Sequence, residues 1–347
     1  MNGQGRVAVA EGDGKADGAG IRRAGIPGLT LTLADFEAAR RHVAPHVYRT
    51  PMLTCRSLSE ACGFDVRLKA ELFQRGGSYK VRGPLNKIAR LTGEERARGV
   101  ICSSAGNHAQ GVAIAARHYG VRAVVVMAEN ATRSKIAATK GYGARVVLHG
   151  SIWDEANEKA LELVETEGLT YIHPFDDPDL IAGQGTVGLE IMDQFPEAEV
   201  VVVPIGGGGL ISGIAMAVKS VKPGIRVIGV ESSGAPAMQR SVESGRCIVL
   251  DEVGCIIDGL RVKRVGDNTC SVVSRFVDEI VTLPDERIFD AVLWLMTRAK
   301  LVTEGAAASP VGALLDGLVD SAPGTKTVCV LSGGNLDVEQ LRGLSWN

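Results

Sequence analysis

Four valines in succession, Val200 to Val203, run through Pro204 and Ile205 into four successive glycines, Gly206 to Gly209. The chain then continues as an apolar segment from Leu210 to Val221. A strand with no polar face must be covered on both sides, as central strands of parallel sheets are. The segment after the glycines has helical spacing. The same order recurs along the chain. Strand-like runs at Ala123 to Met127, Ala144 to Leu148, Arg226 to Glu231 and Thr327 to Leu331 alternate with helical segments at Asp154 to Thr166 and Asp285 to Lys300. Such alternation predicts an α/β fold in which helices cover both faces of parallel sheets. At 347 residues the chain can form two lobes with a substantial core, or one large α/β unit.

The tetraglycine exposes successive backbone N–H groups to a ligand with no Cβ in the way, and it suits a phosphate. No Lys-Ser/Thr pair closes it, and its spacing is not G-x-G-x-x-G, so a phosphate monoester on a small cofactor is the better match. Three more segments carry chemistry. Lys80 lies in Gly76-Gly77-Ser78-Tyr79-Lys80-Val81-Arg82-Gly83, where a lysine among small residues can hold a carbonyl cofactor as a Schiff base. Ser103-Ser104-Ala105-Gly106-Asn107-His108 joins an apolar run to an alanine-rich helical pattern, and the free N–H groups of a helix start suit a carboxylate. Ser332 follows another buried-type strand, and strand ends are where open α/β sheets place ligands.

With these four segments in this order, the chain resembles the fold-type II pyridoxal-phosphate enzymes (tryptophan synthase β-like), in their serine/threonine dehydratase and serine racemase branch. Thr50-Pro51, Lys69 to Gln74, Asp176-Asp177-Pro178, Ile181 to Thr186 and Val302 to Ala306 match as well, so the resemblance runs from about Leu31 to about Leu341. It implies two open, twisted, largely parallel sheets with pyridoxal 5'-phosphate between a large domain (29–75 and 174–347) and a small one (76–173). It implies that Lys80 carries the cofactor and removes the substrate α-proton. A lysine acting as base must be neutral, so desolvation and a nearby positive charge should lower its pKa. The phosphate is expected on Gly206, Gly207, Gly208, Gly209 and Leu210, with Asn107 at the phenolic oxygen. Tyr79 and Gly259 should flank the ring, Ser332 should face its nitrogen, and the substrate carboxylate should lie against Ser104, Ala105, Asn107 and His108.

Details within this resemblance set the expected reaction. A neutral hydroxyl at the ring nitrogen makes a weaker electron sink than a carboxylate would, and so favours prompt loss of a β-hydroxyl. Racemases of the branch carry a serine where Ala105 stands, and alanine relays no proton, which favours dehydration. The expected activity is deamination of L-threonine to 2-oxobutyrate, of L-serine to pyruvate, or both. Alternatives are another hydroxy amino acid, such as 3-hydroxyaspartate recruited by Arg261 or the substrate of a hydroxyectoine-pathway relative, serine racemisation, or an amino acid sensor without catalysis. Some relatives bind a divalent cation through Glu231 and an aspartate six residues on. Alanine at 237 predicts no required metal and leaves Glu231 solvated or paired. No C-terminal regulatory domain is expected after Asn335, and a homodimer or homotetramer is the family expectation.

The formal net charge of -2 gives no reason to expect nucleic acid, and no stretch nears the roughly 20 apolar residues of a membrane span. Residues 1–28, rich in Gly, Ala, Asp and Arg, read as a mobile extension without a secretory core. Seven cysteines without C-x-x-C pairs favour reduced, cytoplasmic thiols. His42 and His46 have metal-like spacing, but Pro45 interrupts their turn and surface histidines are the better reading.

Overall fold

The structure is a computed structural model that describes residues 6–8 and 28–337. Its strands are β1 (Arg6–Ala8), β2 (Met52–Thr54), β3 (Asp65–Ala70), β4 (Val100–Ser103), β5 (Ala123–Met127), β6 (Arg145–Leu148), β7 (Thr170–Tyr171), β8 (Val200–Pro204), β9 (Arg226–Ser232), β10 (Glu279–Leu283) and β11 (Lys326–Leu331). They form a seven-stranded sheet in the order β1-β10-β9-β8-β11-β3-β2 and a four-stranded sheet in the order β6-β5-β4-β7. Only the outermost pairings of the larger sheet, β1 with β10 and β2 with β3, are antiparallel.

The aliphatic runs lie where the absence of a polar face requires. All residues of β8 and β5 are buried, and β8 lies between β9 and β11. Helices Pro178–Gln194 and Gly209–Val221 pack closely at Gly185 and Gly213, where a Cβ on Gly213 would stand 2.6 Å from the Gly185 nitrogen. Parallel order brings strand ends together. The tetraglycine follows β8 and Ser332 follows the adjacent β11, so both emerge at the carboxyl edge of one sheet. Ser104 to Asn107 emerge likewise from β4 of the other.

Two elements differ from the sequence reading. Within the segment expected to be a mobile arm, residues 6–8 pair antiparallel with β10; the rest of 1–27 lies outside the described residues. An edge strand uses backbone groups, so three residues suffice with no readable side-chain period. The helix expected over Asp285 to Lys300 is α-helical only to Trp294, continues as a π turn over Leu295–Ala299, and stops at Lys300 in the left-handed region (φ 61°).

Candidate active site

Lys80 sits in a short 3-10 turn, Tyr79–Val81, that leads into the helix Arg82–Ala89. The chain before it is zipped to the segment after β11. Tyr79 N donates to Ser332 O at 3.1 Å, Gly334 N donates to Gly77 O at 2.8 Å, and Ser78 bridges Gly333. The partly buried Lys80 Nζ donates to Pro174 O at 2.9 Å. Burial brings its pKa down to about 8. The charged neighbour is Glu304, whose negative sign opposes that shift, so the expected help from a positive charge is replaced by desolvation alone.

Residues 173–176 connect Lys80 to the tetraglycine. A Cβ on Gly207 would collide with the Phe175 ring, and one on Gly209 would stand 2.8 Å from Phe175 O. Gly208 lies in the left-handed region (φ 91°), which glycine alone adopts at no steric cost. Thr269 Oγ1 donates to Gly207 O at 2.8 Å, and Asp176 accepts from Thr269 N at 3.0 Å and Asp267 N at 3.1 Å. The loop is therefore held from behind, and its N–H groups lead into the start of helix Gly209–Val221, where the first donors have no carbonyl in the helix to reach. Gly259 abuts the same loop, since a Cβ on Gly206 would collide with Gly259 O.

Ser104 and Ala105 form the turn before helix Asn107–His118, and Ser104 Oγ accepts from Gly106 N at 3.2 Å. Asn107 reaches across to the segment before helix Gly305–Leu315: its Nδ2 donates to Glu304 Oε1 at 2.8 Å and Oε2 at 2.9 Å. His108 differs from Asn107. Its ring is buried, with Nε2 against Ile172 O at 2.9 Å, and burial lowers its pKa to about 3. Its Nε2 is thus committed to the core while Nδ1 is buried without a partner, and its backbone N–H at the helix start is the donor left to meet an anion. Ser332 is 2% exposed and is linked to the Lys80 turn through the Tyr79 N–H that its carbonyl accepts.

Glu304 and Asn335 stand among these residues, although their motifs, Val302 to Ala306 and Ser332 to Asn335, carried no assigned role for them in the sequence. The available signal was a single acid between apolar Val302 and Ala306, which by itself reads as a surface charge. Glu231 is another departure. Of the two expectations for it, solvated or paired, the first fails: it is buried, and its partners are backbone groups, since its carboxylate accepts from Met238 N and Gln239 N, both at 2.8 Å, capping the helix Ala237–Ser244. Burial pushes its carboxyl up to about 8 against those two bonds. Arg261 is exposed and lies 3.9 Å from Asp258, which Lys135 holds at 2.7 Å. His42 bonds Asn86 at 2.9 Å and His46 stacks on His118 at 3.8 Å between centroids; among the described residues no cluster of three acidic, His or Cys side chains forms a metal site.

These residues fit a pyridoxal phosphate. A loop of backbone donors with neither carboxylate nor Cβ suits its phosphate, and an amine near pKa 8 suits its carbonyl carbon.

Comparison with known proteins agrees. The model of the family described as pyridoxal-phosphate dependent enzyme matches residues 43–333. An L-threonine ammonia-lyase of Thermotoga maritima is 48% identical over 90% of this chain and 77% of its own. The catabolic L-threonine dehydratase of Escherichia coli is 44% identical over 90% of this chain and 95% of its own. Among solved structures, maize serine racemase superposes with a TM-score of 0.87 at 35% identity, covering 90% of this chain and 96% of that one. The processed form of threonine deaminase isoform 2 from Solanum lycopersicum gives 0.86 at 34% identity, covering 97% and 96%. An α/β chain that sets an amine of lowered pKa beside a bare glycine cradle, and is this similar to such proteins along its length, belongs to the pyridoxal-phosphate dependent enzyme family.

Proposed function

We propose that the chain is an ammonia-lyase that dehydrates and deaminates a β-hydroxy amino acid, L-threonine to 2-oxobutyrate and L-serine to pyruvate. The observation that carries this reading is similarity at 44–48% identity, over nine-tenths of the chain, to proteins named L-threonine ammonia-lyase or dehydratase. The bound cofactor supplies an electrophilic carbon and an electron sink for the α-carbanion. The chain's residues do the rest. Lys80 holds the group and takes the α-proton; a pKa near 8 makes its neutral fraction at pH 7 ~300-fold larger than that of an ordinary lysine. Gly206 to Gly209 and Leu210 hold the phosphate through N–H groups. Asn107 donates to the phenolic oxygen, Ser332 meets the ring nitrogen, and Tyr79 and Gly259 flank the ring. The helix start at Ser104, Ala105, Asn107 and His108 orients the substrate carboxylate, His108 through its backbone. Ala105 lacks the hydroxyl that racemisation would use on the opposite face.

Residues 76–173, which carry the four-stranded sheet, act as the small domain, and 29–75 with the chain from 174 onward as the large one. Seven free cysteines, and the absence among the described residues of any helix long and apolar enough to cross a membrane, support a cytoplasmic location. Symmetric assembly as a homodimer or homotetramer accords with how such enzymes usually occur.

The test is 2-oxo acid release by the protein, saturated with pyridoxal phosphate, from L-threonine, L-serine and threo-3-hydroxyaspartate in parallel. The proposal expects 2-oxobutyrate from threonine and less pyruvate from serine. Product from hydroxyaspartate alone, or none from any, overturns it.

A further inference from the structure

Asn107 can serve the cofactor's phenolic oxygen only through its amide nitrogen; its carbonyl oxygen, turned to the same place, would repel that anion. The two ends of a carboxamide have the same shape, so packing cannot select between them and hydrogen-bond partners must. The structure contains such a set of partners, and it begins at a backbone carbonyl.

Gly76 O accepts from Asn335 Nδ2 at 2.7 Å. A carbonyl only accepts, so this contact requires the nitrogen of Asn335 on that side. The same Nδ2 donates to Asn107 Oδ1 at 2.8 Å, which commits both of its hydrogens and requires the oxygen of Asn107 there. The nitrogen of Asn107 is then left to face Glu304, whose two oxygens lie 2.8 and 2.9 Å away. These oxygens belong to one carboxylate and subtend a narrow angle at Nδ2, while the two amide hydrogens diverge widely, so a single N–H is shared between them. The other N–H stays available for the cofactor. Asn335 is also held in place. A Cβ on Gly77 would collide with its carboxamide, and Gly77 sits at φ 72°, where glycine is favoured. On the far side, Gly333 gives the Glu304 carboxylate room, since a Cβ there would stand 2.5 Å from Oε1.

We propose that Asn335 and Glu304 are positioning residues that fix the polarity of Asn107, so that it offers the cofactor a donor and never an acceptor. The proposal rests on the reading of Asn107 as the partner of the phenolic oxygen. It predicts an order of effects that shape alone would not give. Asn335→Asp preserves size but has no hydrogen to donate, sets an acceptor against Gly76 O and Asn107 Oδ1, and drives Asn107 to turn over. Asn335→Ala merely removes the constraint.

The experiment is titration of each protein with pyridoxal 5'-phosphate, read by its visible absorption band, together with the pH midpoint of that band. Asn335→Ala should bind the cofactor roughly 3- to 10-fold more weakly, the scale of one hydrogen bond, and Asn335→Asp at least roughly tenfold more weakly still. The midpoint should move in both, further in Asn335→Asp. In an Asn107→Ala background neither substitution should change affinity by as much as about twofold, because the residue through which they act is gone. Glu304→Gln, which still offers an amide oxygen to Nδ2, should stay within about threefold of the parent, whereas Glu304→Leu should not. Should the Asn335 variants fail to fold, as thermal melting would show, the Glu304 pair decides. Equal losses with and without Asn107, Asn335→Asp no weaker than Asn335→Ala, or equal losses for Glu304→Gln and Glu304→Leu would overturn the proposal while leaving the cofactor site intact. A parent protein that does not bind the cofactor saturably would overturn the site reading itself. None of these readouts depends on which amino acid is the substrate.

Discussion

Two residues beyond Lys80 the chain buries an arginine completely, and removing it should destabilise the protein through charge far more than through lost volume. Arg82 Nε donates to Glu71 Oε2 and Nη2 to Glu71 Oε1, both at 2.8 Å. Its Nη1 donates to Glu190 Oε1 at 2.8 Å and to Thr186 at 3.2 Å. Lys69 Nζ, also buried, donates to Glu190 Oε2 at 2.6 Å. Lys69 and Arg82 thus balance Glu71 and Glu190, and the cluster is neutral. Arg82→Met leaves Glu71 with the Thr50 hydroxyl, at 2.5 Å, as its remaining side-chain hydrogen-bond partner, and with Lys69, already bound to Glu190, as the nearby positive charge. Breaking such a buried pair costs about 3–5 kcal/mol, a large part of the roughly 5–15 kcal/mol that holds a protein together. The second substitution should reverse the sign. Glu71→Met added to Arg82→Met leaves the neutral pair Lys69–Glu190, so the double variant should be more stable than the single one although it loses more native contacts. Urea denaturation of the cofactor-saturated protein, compared at unchanged m, measures both. An Arg82→Met cost below about 1 kcal/mol, or a double variant less stable than the single, would refute the electrostatic reasoning and leave packing as the cause.

Three further outcomes can be checked directly. Gly207→Ala drives a Cβ into the Phe175 ring, next to the carbonyl that holds Lys80, and overpacking of about 1–3 kcal/mol should raise the cofactor dissociation constant at least about fivefold in an absorbance titration. His108 is held neutral by burial with a pKa of about 3, below its unfolded value near 6.5, so the unfolded chain binds the extra proton between those pH values. Its stabilisation is complete above pH 6.5 and falls with decreasing pH, by about 2 kcal/mol at pH 5; denaturation midpoints of His108→Gln should lack that component of the slope. Chelation followed by added magnesium or calcium should leave lyase activity unchanged, because the Glu231 carboxylate is already committed to Met238 N and Gln239 N and Ala237 supplies no second ligand; strong activation would contradict this.

The parts of this protein legible in its sequence were those with a local physical cause. Val200 to Val203 have no polar face, so they had to form a covered strand, and β8 lies between β9 and β11 in the larger sheet. A run of glycine after such a strand identifies a bare backbone turn, and a lysine among small residues suggests an accessible amine; the fold brings the two together through Pro174 and Phe175. What tertiary structure decided was the partner of each polar group. His108 looked like a substrate ligand beside Asn107, but consecutive residues of a helix point in different directions, and its ring found Ile172 O in the core. Glu231 looked like a charge at a strand end, until the helix starting at Ala237 folded over it with two unpaired N–H groups. Glu304 and Asn335 lie 197 and 228 residues from Asn107 along the chain. Hydrophobic pattern is a property of neighbours in sequence, so it can be read there. A hydrogen bond or a buried charge pair exists only when two distant segments meet, and its donor or acceptor residue carries no mark of the partner that burial will require it to find.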